Sequence, residues 1–167
     1  TEALMAPARG SVWDRSAPVR VVMSGGALSS VVASQLLNGA NLMAVGDGTS
    51  GNWELFQFAE AVLVAPDTYD LSLLLRGQAG TEAAGAAGWP VGSTLVLMNG
   101  APGQITLSMN ERDLARHYRI GPARLSYDDP SYVHLIEAFA GNGQRPYAPA
   151  HLRAVAGAGG DLDVTWT

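Results

Sequence analysis

The sequence predicts a mainly β protein: a β-rich α+β fold of antiparallel strands, arranged as a barrel or a sandwich, with two or three short helices. Two observations lead to this prediction. Apolar segments with the two-residue period of strands outnumber helical patterns, and short turns join them. A βαβ architecture would need longer crossover helices than this chain offers.

The first part of the chain is divided into strands and one helix. Segment 18–24 alternates apolar and other residues, as in a half-buried strand. Ser29 or Ser30 can cap a helix that ends near Leu37, before an Asn-Gly stop, although an irregular strand is the alternative. Strands are expected over residues 11–16, 18–24, 41–45, 53–58, 61–64 and 69–75.

A β-hairpin or meander is expected within residues 53–82. Its turn contains Pro66, which presets φ, and Asp67, which can bond its own backbone. In segment 69–75, alternate residues would share one face of a strand. That face would carry Tyr69, Leu71, Leu73 and Leu75. A glycine-flanked loop around Arg76 is expected to follow this strand.

The second part of the chain has weaker patterns. Thr81 can cap a short helix over 82–87, and Asn110 can cap another with Asp113 as the capping-box acid. Residues 132–140 fit either a strand or a helical turn. Further extended segments are expected over 93–98, 104–109, 118–120, 152–156 and 162–166.

The expected domain organisation has three parts. Residues 1–144 form a β-rich domain, and the proline-containing residues 145–150 form a stiff linker. Residues 151–167 begin a further strand unit. Because the chain begins at Thr1 and stops within an apparent strand, we interpret it as a fragment of a longer protein.

Composition and charge argue against several classes of function. Charged residues make up 15% of the chain, against roughly 25% in typical soluble domains. This low charge can leave neutral surface for packing against other subunits, or it can simply reflect a high content of small residues. The net charge of −5 argues against a nucleic-acid-binding surface. The absence of cysteine excludes disulfides and thiolate metal ligands, and no apolar run approaches the length of a membrane span.

Residues 74–82 run LLRGQAGTE. They resemble the LLRGQ-GTE signature of phage-tail proteins of the gene transfer agent host specificity type, the very large tail-hub proteins of the megatron type. The signature residues here are Trp53, Glu54, Arg76, Gly77, Gln78, Gly80, Thr81 and Glu82. A similar resemblance extends to residues 13–15, 26–30, 37–41, 57–58, 119–123 and 145–153.

The resemblance implies a structural component of the distal tail, at the hub or tip of a phage-like particle, that contributes to assembly and to host-cell attachment or DNA delivery. The family carries a TIM-barrel-like, glycoside-hydrolase-like domain upstream. No part of this chain resembles that domain, so no catalytic residue is carried over and we expect no enzyme. In the resembled family, a fibronectin-like sandwich tends to begin at the position of residues 151–167.

The resemblance also implies partners and a location. The expected partners are other tail or baseplate proteins, further domains of the same chain and other copies in a homo-oligomer. A cell-surface saccharide or receptor is a further candidate, whereas sequence-specific nucleic acid is not expected. The expected location is the tail of a virion-like particle that is assembled in the bacterial cytoplasm and then released.

Arg76 has two interpretations. Its planar guanidinium suits contact with a ligand or partner. In the structural interpretation, which we favour, Arg76 and Gln78 bond backbone carbonyls of their own loop and Glu82 is a candidate ion-pair partner. Gly77 and Gly80 would then allow turns that a Cβ would obstruct.

Two other functions stay open, a receptor- or saccharide-binding module and a hydrolase accessory domain. Sugar binding would use tryptophan and tyrosine side chains as stacking platforms, although these more often pack in a core. Hydrolysis would need two convergent carboxylates, for which Glu54 and Glu60 are candidates.

We expect no catalytic residue, cofactor or metal site. Loop 47–52 looks superficially like a calcium loop but lacks the ligand spacing of one. His117, His134 and His151 share no short metal-ligand spacing.

Overall fold

A computed structural model of the chain describes residues 5–10, 12–100, 102–144, 146, 151–157 and 159–166. These residues form ten strands, one α-helix and two 3₁₀ helices, and the paired strands are antiparallel. The prediction of a mainly β fold is therefore confirmed.

The chain divides into two compact units, Thr1–Pro102 with Gly143–Thr167, and Gly103–Asn142. The domain expected over residues 1–144 thus contains the whole of the second unit and most of the first. Of the expected linker 145–150, the described residues include only Pro146, and the rest lies outside them.

The first unit is built on a six-stranded sheet and one helix. In chain order these are β1 Trp13–Asp14, β2 Val19–Val22, α1 Ala33–Leu37, β3 Leu42–Gly46, β4 Trp53–Ala65, β5 Thr68–Gln78 and β6 Thr94–Leu97. Neighbouring strands follow the order β1, β5, β4, β3, β6, and β2 also pairs with β5. Among the described residues this order is open, with β6 at one end and β1 and β2 at the other.

One face of this sheet carries the main core. Residues two apart on each strand lie on the same face, and cross-strand partners such as Met43 and Phe56, or Val21 and Tyr69, meet there. The cluster consists of Met5, Val19, Val21, Leu28, Met43, Val45, Phe56, Phe58, Tyr69, Leu71, Leu74 and Trp89. A smaller cluster contains Leu36, Ala59 and Leu75, with Trp13, Val31 and Leu73 packed against it.

The hairpin of β4 and β5 differs from the prediction in two ways. Segments 53–58 and 61–64 are one continuous strand, because Phe58 and Glu60 pair with Leu74 and Ser72 in the same register on either side of Ala59. The predicted common face of Tyr69, Leu71, Leu73 and Leu75 is wrong beyond Leu71. Leu73 has a positive φ of 53°, and Leu74 instead joins the main core. The turn at Pro66 and Asp67 is confirmed.

Two helix predictions in the first unit are corrected. The helix begins at Ala33 and not after Ser29 or Ser30, because the Ser30 hydroxyl accepts the N–H of Ala61 at 3.0 Å and so ties this segment to β4. Residues 82–87 form turns and not a helix. The Thr81 hydroxyl, expected to cap that helix, instead accepts the N–H of Leu55 at 2.9 Å.

The second unit contains the 3₁₀ helix Met109–Glu111 and a hairpin of β7 Ala115–Ile120 and β8 Val133–Ala138. The predicted strand over 104–109 is wrong, since residues 103–108 have no regular structure. The capping residue is Ser108, whose hydroxyl and N–H both bond to Glu111, and not Asn110 with Asp113. The undecided segment 132–140 is a strand.

The remaining described elements are the 3₁₀ helix Asn142–Gln144 and a small hairpin of β9 Arg153–Ala156 and β10 Leu162–Thr165. The two strands predicted near the end of the chain are therefore present. No helix in the described part of the chain is long and apolar enough to cross a membrane.

A surface ion pair joins β2 to β5 and gives a pH prediction. The Arg20 guanidinium donates to both Asp70 carboxylate oxygens at 2.7 Å and holds the pKa of Asp70 below its ordinary value of 3.8. Because the folded pKa lies below the unfolded one, the resulting stability is present above the unfolded value and is lost as the pH falls through the folded value.

We therefore expect Asp70→Asn to reduce the loss of stability as the pH falls below the ordinary Asp70 pKa of 3.8, as measured by urea unfolding at several pH values. Asp47, Glu111 and Asp129, whose pKa values are lowered by their own hydrogen bonds, would contribute to the slope that remains. An unchanged slope in the variant would contradict the assignment.

Candidate functional site

Glu54 and Arg76 form a buried ion pair between β4 and β5. Nε of Arg76 donates to Oε1 of Glu54, and Nη2 donates to Oε2, both at 2.7 Å. Only 1% of the Glu54 side chain and 2% of the Arg76 side chain are exposed. We call this pair, together with the groups that bond to it, the Arg76 cluster.

A β-bulge turns Arg76 towards Glu54. The register between β4 and β5 shifts between Leu55 and Gln57, so that Arg76 and Gly77 lie opposite the single residue Phe56. Gly77 has φ +64°, as expected for a glycine at a bulge. A Cβ at Gly77 would lie 2.7 Å from the Glu82 Cβ and 2.9 Å from the Glu82 Cα, so no larger residue fits.

Two further donors complete the hydrogen bonding of the Glu54 carboxylate. The N–H of Gly77 donates to Oε1 at 3.0 Å, and Nε1 of Trp89 donates to Oε2 at 2.7 Å. An ionised carboxylate offers about four acceptor positions, and all are used here. Gly85 leaves the space for this arrangement, since a Cβ there would lie 2.1 Å from Oε2.

The guanidinium of Arg76 also reaches the N-terminal part of the first unit. Its Nη1 donates to the Ala6 carbonyl at 3.0 Å and lies 3.5 Å from Oδ2 of Asp14. The backbone of Met5 pairs with that of Trp89 through bonds of 2.8 and 2.9 Å. The cluster therefore joins the N-terminal segment, β1, β4, β5 and the segment that precedes β6.

The other signature residues surround the Arg76 cluster. Gln78 donates to the Arg76 carbonyl at 3.3 Å, and Thr81 donates to the Gln78 carbonyl at 2.7 Å while accepting from β4. Gly80 has φ +75° in the turn that follows β5. Trp53 covers Gly46 on β3, where a Cβ would lie 2.5 Å from the indole.

The structure corrects two expectations for Arg76. The residue lies within β5 and not in a loop after it. Its carboxylate partners are Glu54 and Asp14, and not Glu82, whose Oε2 is buried without a hydrogen-bond partner in the described part of the chain. The backbone carbonyl that Arg76 bonds is that of Ala6, which is distant in sequence.

The family model described as "Rcc01698-like, C-terminal" matches residues 1–96, and that range includes every residue of the Arg76 cluster. The chain belongs to this family. No curated protein matches the chain. The match covers more than half of the 167 residues and most of the large sheet.

In this member of the Rcc01698-like C-terminal family, Arg76 and Glu54 neutralise each other's charge, and the hydrogen bonds of the Arg76 cluster hold β4 and β5 together. Every acceptor position of Glu54 is occupied and its side chain is buried, so Glu54 is not available as a nucleophile or as a general base. Glu60, its suggested partner in hydrolysis, is exposed and accepts the Ser72 hydroxyl at 2.7 Å.

The structure also shows the surroundings of the other candidate metal-ligating residues in this family member. Asp47 accepts both the N–H and the hydroxyl of Thr49 and the amide of Asn52, so the calcium-like loop satisfies its own carboxylate. His117 and His134 meet across β7 and β8, with Nδ1 and Nε2 2.9 Å apart and stacked rings. In the described residues, no group of three His, Asp or Glu side chains could hold a metal ion.

The roles of Asp14, Trp89 and Gly85 in the cluster were not predicted from the sequence. A partial signal for the ion pair was present, because Glu54 lies between apolar residues of segment 53–58 and Arg76 follows the apolar run Leu73–Leu75, and charges buried in a sheet need partners. Nothing in the local pattern indicated Trp89, which lies 35 residues after Glu54.

Proposed function

We propose that this chain is a structural component of the distal tail, at the hub or tip, of a phage-like gene transfer agent particle. There it contributes to assembly and to host-cell attachment or DNA delivery. The observation that carries the proposal is the LLRGQAGTE segment, which resembles the signature of tail-hub host specificity proteins and lies within the family match.

The Arg76 cluster supports a role without catalysis. The most specific part of the resemblance is a set of buried side chains that bond to one another, and the Glu54 carboxylate has no acceptor position left for a substrate. Such a cluster specifies one strand arrangement, which suits a component that has to present a fixed surface to its neighbours.

The surface of the first unit supports contact with other tail or baseplate proteins or with further copies of the chain. At the far end of β4, Val62, Leu63 and Val64 are 56%, 60% and 44% exposed. Val62 and Val64 share one face of the strand and Leu63 lies on the other, so both faces of this end of β4 offer apolar side chains to a partner. The net charge of −5 would also not retain DNA that passes through a tail.

Particle fractionation tests this proposal. Particles from the source organism would be treated with nuclease and protease, purified on a density gradient and probed with an antibody raised against this chain. We expect the antigen to sediment with intact particles at a constant ratio to the major tail protein. Antigen that stays with the soluble proteins, while the major tail protein sediments, would contradict the proposal.

A further inference from the structure

A groove lies on the first unit between β1, the segment that leads into α1, and β4. Its narrow part has a volume of about 270 Å³ and is lined by Trp13, Val31, Ala59 and Leu73 with Arg15 and Glu60. An adjoining part of about 560 Å³ shares Val31, Ala59 and Glu60 with it. The two parts therefore lie next to each other on this face of the unit.

The apolar lining of the groove is held in place by the smaller core cluster. Trp13, Val31 and Leu73 pack against Leu36, Ala59 and Leu75. Trp13 also pairs through its backbone with Leu75 of β5, and its side chain is half-buried. The indole is thus fixed by the sheet while part of it lines the groove.

Two charged groups at the groove have bonding capacity to spare. Arg15 is exposed and has no hydrogen-bond or ion-pair partner in the described part of the chain. Glu60 accepts the Ser72 hydroxyl through Oε2, which leaves its Oε1 for a ligand. Because Arg15 and Glu60 do not pair with each other, both can bond to a ligand at the same time.

We propose that this groove binds a neutral pyranose residue of a saccharide. The apolar face of such a ring would stack on Trp13, and hydroxyls at its edge would accept from Arg15 and donate to Glu60. An apolar ligand would instead leave the hydrogen-bonding capacity of Arg15 and Glu60 unused. An acidic sugar would be attracted by Arg15 but repelled by Glu60, so the pair favours a neutral ligand.

The other three tryptophans that were candidates for sugar stacking do not line this groove. Trp89 is 3% exposed and bonds to Glu54, and Trp53 covers Gly46. Trp166 is 63% exposed at the end of the small C-terminal hairpin. Among the four tryptophans, Trp13 is therefore the one that the structure combines with a groove and free polar groups.

The 167-residue chain itself is the sample for the test. Saturation-transfer NMR and calorimetric titration would use maltotriose, chitotriose and β-1,4-galactotriose, and a microarray of bacterial surface saccharides would extend the range. We expect a neutral saccharide to bind weakly. We expect Arg15→Ala and Glu60→Gln each to weaken its binding by about tenfold or more, as for loss of a hydrogen bond to a charged group.

The variants Arg15→Ala and Glu60→Gln are chosen because neither substitution should change the stability of the fold. Arg15 and Glu60 are exposed, and glutamine at position 60 can still accept the Ser72 hydroxyl, so both variants should unfold at the same temperature as the parent. Arg124→Ala, at an exposed arginine of the second unit, is the matched control and should bind like the parent. Trp13→Phe should weaken binding while keeping an aromatic ring in the cluster.

The proposal would be overturned by no binding of any neutral saccharide, by binding of acidic saccharides alone, or by equal binding by Arg15→Ala, Glu60→Gln and Arg124→Ala. A dimer in solution that Trp13→Phe dissociates would also overturn it, by identifying a second copy of the chain as the occupant. The proposal does not depend on the particle assignment, which fractionation tests separately.

Discussion

Replacing Arg76 by alanine is expected to lower the free energy of unfolding by about 3–5 kcal/mol. The substitution leaves the Glu54 carboxylate, 1% exposed, buried without its cationic partner. It also removes the bond to the Ala6 carbonyl that holds the N-terminal segment. Urea unfolding followed by tryptophan fluorescence measures the change.

Arg20→Ala is the matched control for this prediction. Arg20 binds Asp70 with the same two-bond geometry at 2.7 Å, but 46% of its side chain is exposed. Removal of an exposed pair costs much less, because water solvates the partner that remains. Equal losses in Arg76→Ala and Arg20→Ala would contradict the role assigned to the buried pair.

A double variant separates charge from packing. Arg76→Met with Glu54→Leu removes both charges and should recover part of the loss, because buried ion pairs can often be replaced by apolar side chains. Recovery should be incomplete, since the N–H groups of Gly77 and Trp89 would then lack their acceptor. A double variant less stable than Arg76→Ala would show that the packing around the pair matters more than its charge.

Replacing Gly77 by alanine is expected to cost about 2–5 kcal/mol, because two effects act together. Alanine is strained at φ +64°, and its Cβ would overlap Glu82, whose Cα is only 2.9 Å away. Because that contact is partly with backbone, the turn after β5 would have to move. Thermal and urea unfolding of the variant measure the loss.

Gly26→Ala provides the comparison for Gly77→Ala. Gly26 has φ +80°, but no atom lies within 4 Å of the position that a Cβ would take, so its substitution isolates the backbone strain at about 1 kcal/mol. The difference between the two variants then measures the overlap with Glu82. If both substitutions cost the same, the close approach of Gly77 to Glu82 has no energetic role.

The sequence allowed good prediction of elements that depend on local patterns. The strands at Val19–Val22, Leu42–Gly46 and Thr94–Leu97 follow from apolar runs between turn residues, and the turn at Pro66 follows from its own chemistry. The mainly β class followed from the same patterns. These features need no knowledge of what packs against them.

Features that depend on tertiary contacts were not predictable in the same way. Ser30 was expected to cap a helix, but its hydroxyl bonds to Ala61, 31 residues away. The change of face at Leu73 and the bulge at Gly77 arise from pairing with β4, and periodicity within β5 cannot indicate them. His117 and His134 meet only because β7 and β8 pair.

The sequence indicated which signature residues belong to the candidate site but not which of them contact one another. All eight signature residues came from the resemblance, yet the expected partner of Arg76 was Glu82, which is close in sequence, and the observed partner is Glu54 on the neighbouring strand. Local reasoning favours nearby partners. In a sheet, however, the residues that meet are set by strand register.

Immunogold electron microscopy tests the central claim, that this chain is part of the distal tail, most directly. Purified particles would be labelled with an antibody against the chain, before and after mild denaturation to expose buried epitopes, with an antibody against the major tail protein as the control. We predict gold at the distal end of the tail in at least one of the two states. Gold on the capsid, or no label in either state while the control labels the tail, would contradict the assignment.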